Sequence, residues 1–301
     1  MPMYEADDPR AALGTAGAGA MPSAAFGSSS HARFYADPPQ EDLPDQRNWY
    51  TRGQNFVVCY SEVEPGAVFE RVGQPDEYVL LLYDAESSAT VEANGELAEI
   101  TGYTITMIPP GDSRITCHSG GRIVRLISAQ SGDVAAKAAN LSAYSAPHPQ
   151  VPAFEPWPMP PGGWKVRTYS LAVPDQEGRF GRIFRCTTFM VNVFAPQGPR
   201  DVTKLSPHHH DDFEQCSLAL DGWYMHHLRW PWTANQHDWR DDEHERCDTP
   251  SVCVIPPRAI HTSAPSHPDS NVLVDIFAPP REDFSDMPGW VLNAADYPRK
   301  A

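Results

Sequence analysis

A chain of 301 residues with 41% hydrophobic side chains is long enough for two domains, each with its own core. Its 39 acidic against 23 basic residues leave a formal charge of −16, with no lysine or arginine cluster, which argues against nucleic acid and anionic membrane as partners. No segment approaches the apolar length that crosses a bilayer.

The opening stretch, MPMYEADDPRAALGTAGAGAMPSAAFGSSS, lacks a cationic leader followed by an apolar run and does not read as a signal peptide. It is small, polar and rich in Gly, Ala and Ser, so residues 1–44 are expected to form a disordered tail. The cysteines, Cys59, Cys117, Cys186, Cys216, Cys247 and Cys253, include no C-x-x-C pair. They read as buried small hydrophobes in a cytoplasmic protein.

Beyond the tail, NFVVCYSEV, YVLLLYD, SATVEAN, ELAEITGYTITMI and GRIVRLISA read as strands joined by the turn formers EPGA, ANGE and PPGD, giving a first domain over 45–131. A helical turn in DVAAKAANLSAY and a proline-rich stretch make a linker over 132–163. Strands resume in a second domain, 164–301, with WKVRTYSLAV, RIFRCTTFMVNVF, EQCSLALDG, YMHHLRW, SVCVIPP and NVLVDIFAPP. The expected class is all-β, two sandwiches or barrels in tandem.

The two halves look like one unit written twice. Laying DEYVLLLYDAES over DFEQCSLALDGW puts Glu77 on Glu214 and Asp84 on Asp221. Each copy later carries a strand ending in two prolines, TMIPPGDSR and CVIPPRAIH, which sets Arg114 on His261. An internal duplication accounts for this.

In LSPHHHDDFEQ, strand alternation puts His208 and His210 on one face and His209 on the other. Alternate strand residues are roughly 6.5–7 Å apart at Cα, close enough for two imidazoles to meet one ion. Glu214 has the same parity and is expected to join them, while Gln215 is expected to point away. His261, after the second proline pair, is the natural fourth ligand.

His208-x-His210-x-x-x-Glu214 followed by PPRAIH resembles the two motifs of the cupin superfamily. The chain departs from them at Arg258 and Pro265, where the family has glycine and asparagine, and Gly222 falls one residue late. The resemblance implies two cupin-type jelly-roll β-barrels in tandem, a bicupin. It also implies a three-histidine, one-glutamate site in the second barrel holding one divalent transition metal, Fe(II) or Mn(II) ahead of Ni(II) or Zn(II). In the first barrel Arg71, Gly73 and Arg114 stand where the histidines would, and Glu77 is expected to meet the two arginines in a buried ion pair. His118 is the nearest replacement ligand.

His226, His227 and Arg185 are weaker candidates, the histidines as proton carriers and the arginine for orienting a substrate carboxylate. His237 and His244 fall in an acidic loop that could cover the mouth. The function implied is a metal-dependent enzyme for a small molecule. A dioxygenase comes first, because two open metal positions suit dioxygen and substrate; an isomerase, lyase or decarboxylase follows, then a non-catalytic ligand-binding protein. The resemblance further implies a homodimer paired through its sheets.

Overall fold

The computed structural model describes residues 26–300; the part of the expected tail before residue 26 lies outside them. Strands account for most of the regular structure. The first half holds β1 (Ser30–Arg33), β2 (Glu41–Asp42), β3 (Gln46–Arg52), β4 (Phe56–Val63), β5 (Val68–Gln74), β6 (Tyr78–Leu82), β7 (Ser88–Ala93), β8 (Glu96–Thr101), β9 (Thr104–Ile108), β10 (Gly111–Cys117) and β11 (Gly121–Ser128). Helix α1 (Gly132–Ala135) and a 3-10 turn, Leu141–Tyr144, begin the linker. The second half holds β12 (Arg167–Ser170), β13 (Arg182–Arg185), β14 (Met190–Val193), β15 (Gln215–Asp221), β16 (Trp223–Arg229), β17 (Glu243–Asp248), β18 (Ser251–Ile255), β19 (Ile260–Pro265), β20 (Val272–Phe277) and helix α2 (Glu282–Asp286).

Four antiparallel sheets make two jelly-roll barrels. The first pairs a seven-stranded sheet, β12-β9-β6-β11-β4-β3-β2, with a four-stranded one, β5-β10-β7-β8. The second pairs a six-stranded sheet, β1-β18-β15-β20-β14-β13, with a three-stranded one, β17-β16-β19. Two strands cross between halves: β1 pairs with β18, and β12 pairs with β9. This corrects two expected boundaries. Residues 30–33 and 41–42 are strands rather than disordered tail, and the first strand after the linker completes the first barrel. Four-residue strands leave no local trace of which sheet they will edge.

The two large sheets are buried on both faces, which is why their strands read as nearly continuous apolar runs. On β6, Tyr78, Leu80 and Leu82 fill the first barrel, whereas Val79 and Leu81 face the second. On β15, Cys216, Leu218 and Leu220 face the first barrel and lie in the same shared core as Val79 and Leu81. A leucine buried there contributes about 1.5–3 kcal/mol, so the two barrels are fused by a core rather than tethered by a linker. Strands of the smaller sheets, such as β5, β10 and β17, keep a wet face and alternate too weakly to be legible.

The expected single strand ELAEITGYTITMI is instead two strands in different sheets, β8 in the four-stranded and β9 in the seven-stranded one, with the chain turning at Gly102. A Cβ at Gly102 would lie 2.1 Å from the Asp84 carbonyl oxygen, so the turn requires glycine. RIFRCTTFMVNVF, by contrast, is a paired hairpin, β13-β14. All six cysteines are buried and free, as expected. No described helix is long and apolar enough to cross a membrane.

Candidate metal centre

His208, His210 and His261 meet at the base of the second barrel, with one ring nitrogen from each within 4.8 Å of the others. Their placement is a backbone matter. His208 and His261 form an isolated β-bridge, exchanging N–H to carbonyl bonds of 3.0 and 2.7 Å, and the Arg258 N–H donates to the His210 carbonyl at 2.5 Å. Arg258 takes a φ of 68° to do so, the left-handed region in which the cupin motif has glycine. All three imidazoles are buried. His209 turns outward, half-buried, 3.6 Å from Asp211.

Hydrogen bonds set the tautomers. The His208 Nδ1–H donates to the Ser206 carbonyl at 3.0 Å, and the His261 Nδ1–H to the Ala259 carbonyl at 2.8 Å. Each neutral ring therefore presents Nε2 as a lone pair. Burial pushes His210 well below the ordinary imidazole range, and the Arg281 guanidinium adds to the effect. Neutral imidazole is the metal-binding form.

The side chain that stands beside the three imidazoles is not the expected Glu214 but Gln215. The Gln215 Oε1 lies 2.9 Å from His210 Nε2 and 3.3 Å from His261 Nε2. Its amide cannot turn over, because Nε2 donates to the Asp275 carboxylate and to Ser217 Oγ, both at 3.1 Å. Ser217 Oγ donates to the same Asp275 oxygen at 2.9 Å. The His261 Nε2 lone pair thus faces an amide oxygen, two acceptors that a cation between them would reconcile. The residues present fit a divalent metal held by three imidazoles and one amide oxygen.

Glu214 is corrected as a ligand. Its Oε2 accepts the Gln54 backbone N–H at 2.6 Å and its Oε1 accepts the Tyr144 hydroxyl at 2.8 Å, both groups from the other half of the molecule. Burial raises its pKa, opposed by those two bonds and by Arg52. The physical reason is the bend at Asp211 and Asp212, which breaks strand parity between His210 and β15. Once β15 begins, Gln215 shares the inward face with Ser217 and Ala219, and Glu214 belongs with Cys216 and Leu218. That alternation was present in EQCSLALD and was the signal available for finding Gln215.

Glu77 repeats the arrangement in reverse. It accepts the Thr187 N–H at 3.0 Å, the Thr187 hydroxyl at 3.1 Å and the Tyr297 hydroxyl at 2.6 Å, all from the second half. The expected ion pair with Arg71 and Arg114 does not form. Arg71, largely buried on β5, gives its guanidinium to Asp133 and Gln74, and Arg114, on the outer face of β10, bonds Glu70. Where Gln215 stands in the second barrel, Tyr78 fills the first, its hydroxyl 2.9 Å from Ser113 Oγ. His118 is exposed and bonded to Thr90, far in character from a buried ligand.

The weaker candidates lie elsewhere. His226 is buried on the inner face of β16 against Ser263, 2.8 Å from its hydroxyl, and outside the cavity lining. Burial, then His31 and His261, push it down to about 3, which removes it as a proton carrier near neutral pH. His227 faces outward with its Nδ1 2.8 Å from that of His244 on β17, so strand alternation excludes it from the interior. Arg185 is buried between the halves, donating to the Tyr297 carbonyl and lying 5.0 Å over the Trp157 ring. Burial lowers its pKa to about 10, and no part of it lines the cavity. The loop carrying His237 does not line it either.

Above the imidazoles opens a cavity of about 600 Å³. His208, His261, Gln215 and Asp275 line its depth together with Tyr224. The Tyr224 hydroxyl is buried and has no hydrogen-bond partner among the described residues. Sequence reasoning passed over both Tyr224 and Asp275. The inward parity of YMHHLRW and VLVDIF is visible only once their sheet partners are known.

No family model matches the sequence, and no curated protein matches it. Solved structures do. AerE from Microcystis aeruginosa superposes with a TM-score of 0.51 at 10% identity, covering 84% of this chain and 98% of its own. Oxalate decarboxylase from Lactobacillus farciminis gives 0.53 at 13%, covering 82% and 85%. A Bacillus subtilis oxalate decarboxylase gives 0.53 at 13%, covering 82% and 76%. At such identities the likeness speaks for the fold. The chain shares the fold of these structures, two jelly-roll barrels in tandem as the cupin-like motifs led one to expect, with the imidazole cluster in the second.

Proposed function

We propose that this chain is a metal-dependent enzyme that transforms a small oxygen-bearing organic molecule inside its second barrel. The observation that carries this reading is the cluster of His208, His210, His261 and Gln215, of which His208, His261 and Gln215 line a cavity of substrate size. A divalent first-row ion held by four uncharged donors keeps its full charge and supplies a Lewis acid for a carbonyl or carboxylate oxygen. Asp275 fixes the Gln215 amide so that its oxygen faces the imidazoles. The Tyr224 hydroxyl is available to donate a hydrogen bond to a bound molecule, and burial, then Asp275, hold its proton on by raising its pKa. Leu273 and Phe194 line the same wall and limit the water that reaches it.

The dioxygenase expectation rested on two open metal positions, in a donor set whose one charged member was Glu214. With Gln215 in place of Glu214 that charge is missing, and the isomerase, lyase or decarboxylase reading moves ahead. The test is turnover of 2-oxo, 2-hydroxy and dicarboxylic acids by metal-loaded protein, followed by NMR under nitrogen and in air. Equal turnover in both supports the proposal. Turnover that stops without dioxygen, or a protein that retains no metal after loading, overturns it.

A further inference from the structure

We infer that the second-barrel cavity selects an anion, a small carboxylate whose charged end is held by Arg179, Arg200 and Lys204. The inference rests on the enzyme reading above and names its substrate class. Among the described residues three cations line this cavity against one carboxylate, Asp275, whose Oδ1 already accepts from Gln215 and Ser217. That balance runs against the chain, which carries −16 overall. The two hollows of the first barrel follow the chain instead, while a smaller concavity beside this one, which shares Arg179, carries Arg179 and Arg182 against Asp175. One of the first-barrel hollows has Arg71 and Arg114 against Glu70, Glu92, Glu96 and Asp112. A cavity of one sign with low-dielectric walls concentrates its field, so a positive well in a negative protein gathers anions and repels cations.

The rim is also built into the metal site. Arg200 Nε donates to the Lys204 carbonyl at 3.2 Å, and Nη2 donates to Ser206 Oγ at 2.8 Å. The Ser206 carbonyl accepts the His208 Nδ1–H. One short segment, 200–208, therefore places a guanidinium, an exposed ammonium and the first imidazole along the same cavity. Arg179 approaches from the loop between β12 and β13, anchored by its Nε to the Gly181 carbonyl at 3.0 Å. A molecule with a carboxylate at one end and an oxygen at the other spans this cavity, with the Tyr224 hydroxyl beside it. Guanidinium recognises carboxylate in a planar, two-bond manner that a neutral amide does not reproduce.

The experiment is calorimetric titration of the full chain, with and without Mn(II), using succinate and glutarate against their neutral diamides. At least one diacid should bind, more weakly as sodium chloride is added, and the diamides should not. Lys204→Gln, at an exposed position that leaves the fold alone, should weaken the diacid about threefold. Arg200→Gln should weaken it roughly tenfold. Diamides that bind as well as the acids, no binding by either acid, or affinities untouched by both variants would each overturn the inference. Salt-sensitive diacid binding by a protein that takes up no Mn(II) would sink the metal reading and leave this one standing.

Discussion

The two barrels share a backbone plan and differ in what faces inward. Tyr78 and Gln215 open equivalent strands, and each strand lies directly beside one that ends in two prolines. Inside the first barrel the next inward residues are Leu80 and Leu82; inside the second they are Ser217 and Ala219. Large apolar side chains close one interior, and small polar ones leave room for a cavity and a polar network. The outward faces are conserved between the copies. Glu77 and Glu214 each clasp a hairpin backbone and a tyrosine hydroxyl of the other half, and Asp84 and Asp221 converge on Arg122 at 2.7 and 2.8 Å. The comparison teaches that the duplicated glutamate marks the seam between barrels, and that chemistry is assigned by the neighbouring residue on the opposite face.

The sharpest way to break this comparison is to remove an imidazole. His208→Ala should abolish retained metal in a protein that still folds, and wild type should hold one ion per chain with none in the first barrel; elemental analysis decides both. Next comes the exchange of neighbouring residues. Gln215→Leu should lower metal affinity about 10–100-fold, whereas Glu214→Gln should leave it unchanged. The reverse pattern in a competition titration would restore Glu214 as the ligand.

The seam itself should be costly to open. Glu77→Ala and Glu214→Ala each strand a buried N–H and a tyrosine hydroxyl, for a loss of about 2–4 kcal/mol in denaturant unfolding. A loss from one and not the other would mean the clasps are not equivalent. The smallest effect is on pH dependence. Burial raises both glutamates above the ordinary 4.5, so the folded state holds their protons more tightly than the unfolded chain does. Stability from this source is full below the unfolded value and declines as pH rises through the folded one. The Glu77→Gln, Glu214→Gln double variant should therefore lose less stability than wild type between pH 4 and neutrality, a difference thermal scans at several pH values would reveal; parallel profiles would refute it.

The sequence by itself determined the β class, the duplication and the three histidines. Apolar runs such as YVLLL and VLVDIF require strands buried on two faces, and PPRAIH repeats a framework already seen at TMIPP. His208, His210 and His261 were legible because they cannot be explained as core and recur at the spacing of a known motif. Only the tertiary structure decided between Glu214 and Gln215. A side chain's direction on a strand depends on phase, and phase is fixed by the sheet partners of β15, not by the histidines that precede a bend. The same reason hid the crossing of β1 and β12, whose four residues carry no local preference for either barrel. It also hid the positive cavity, whose lysine and arginines are scattered through loops and meet only where those loops close over the second barrel.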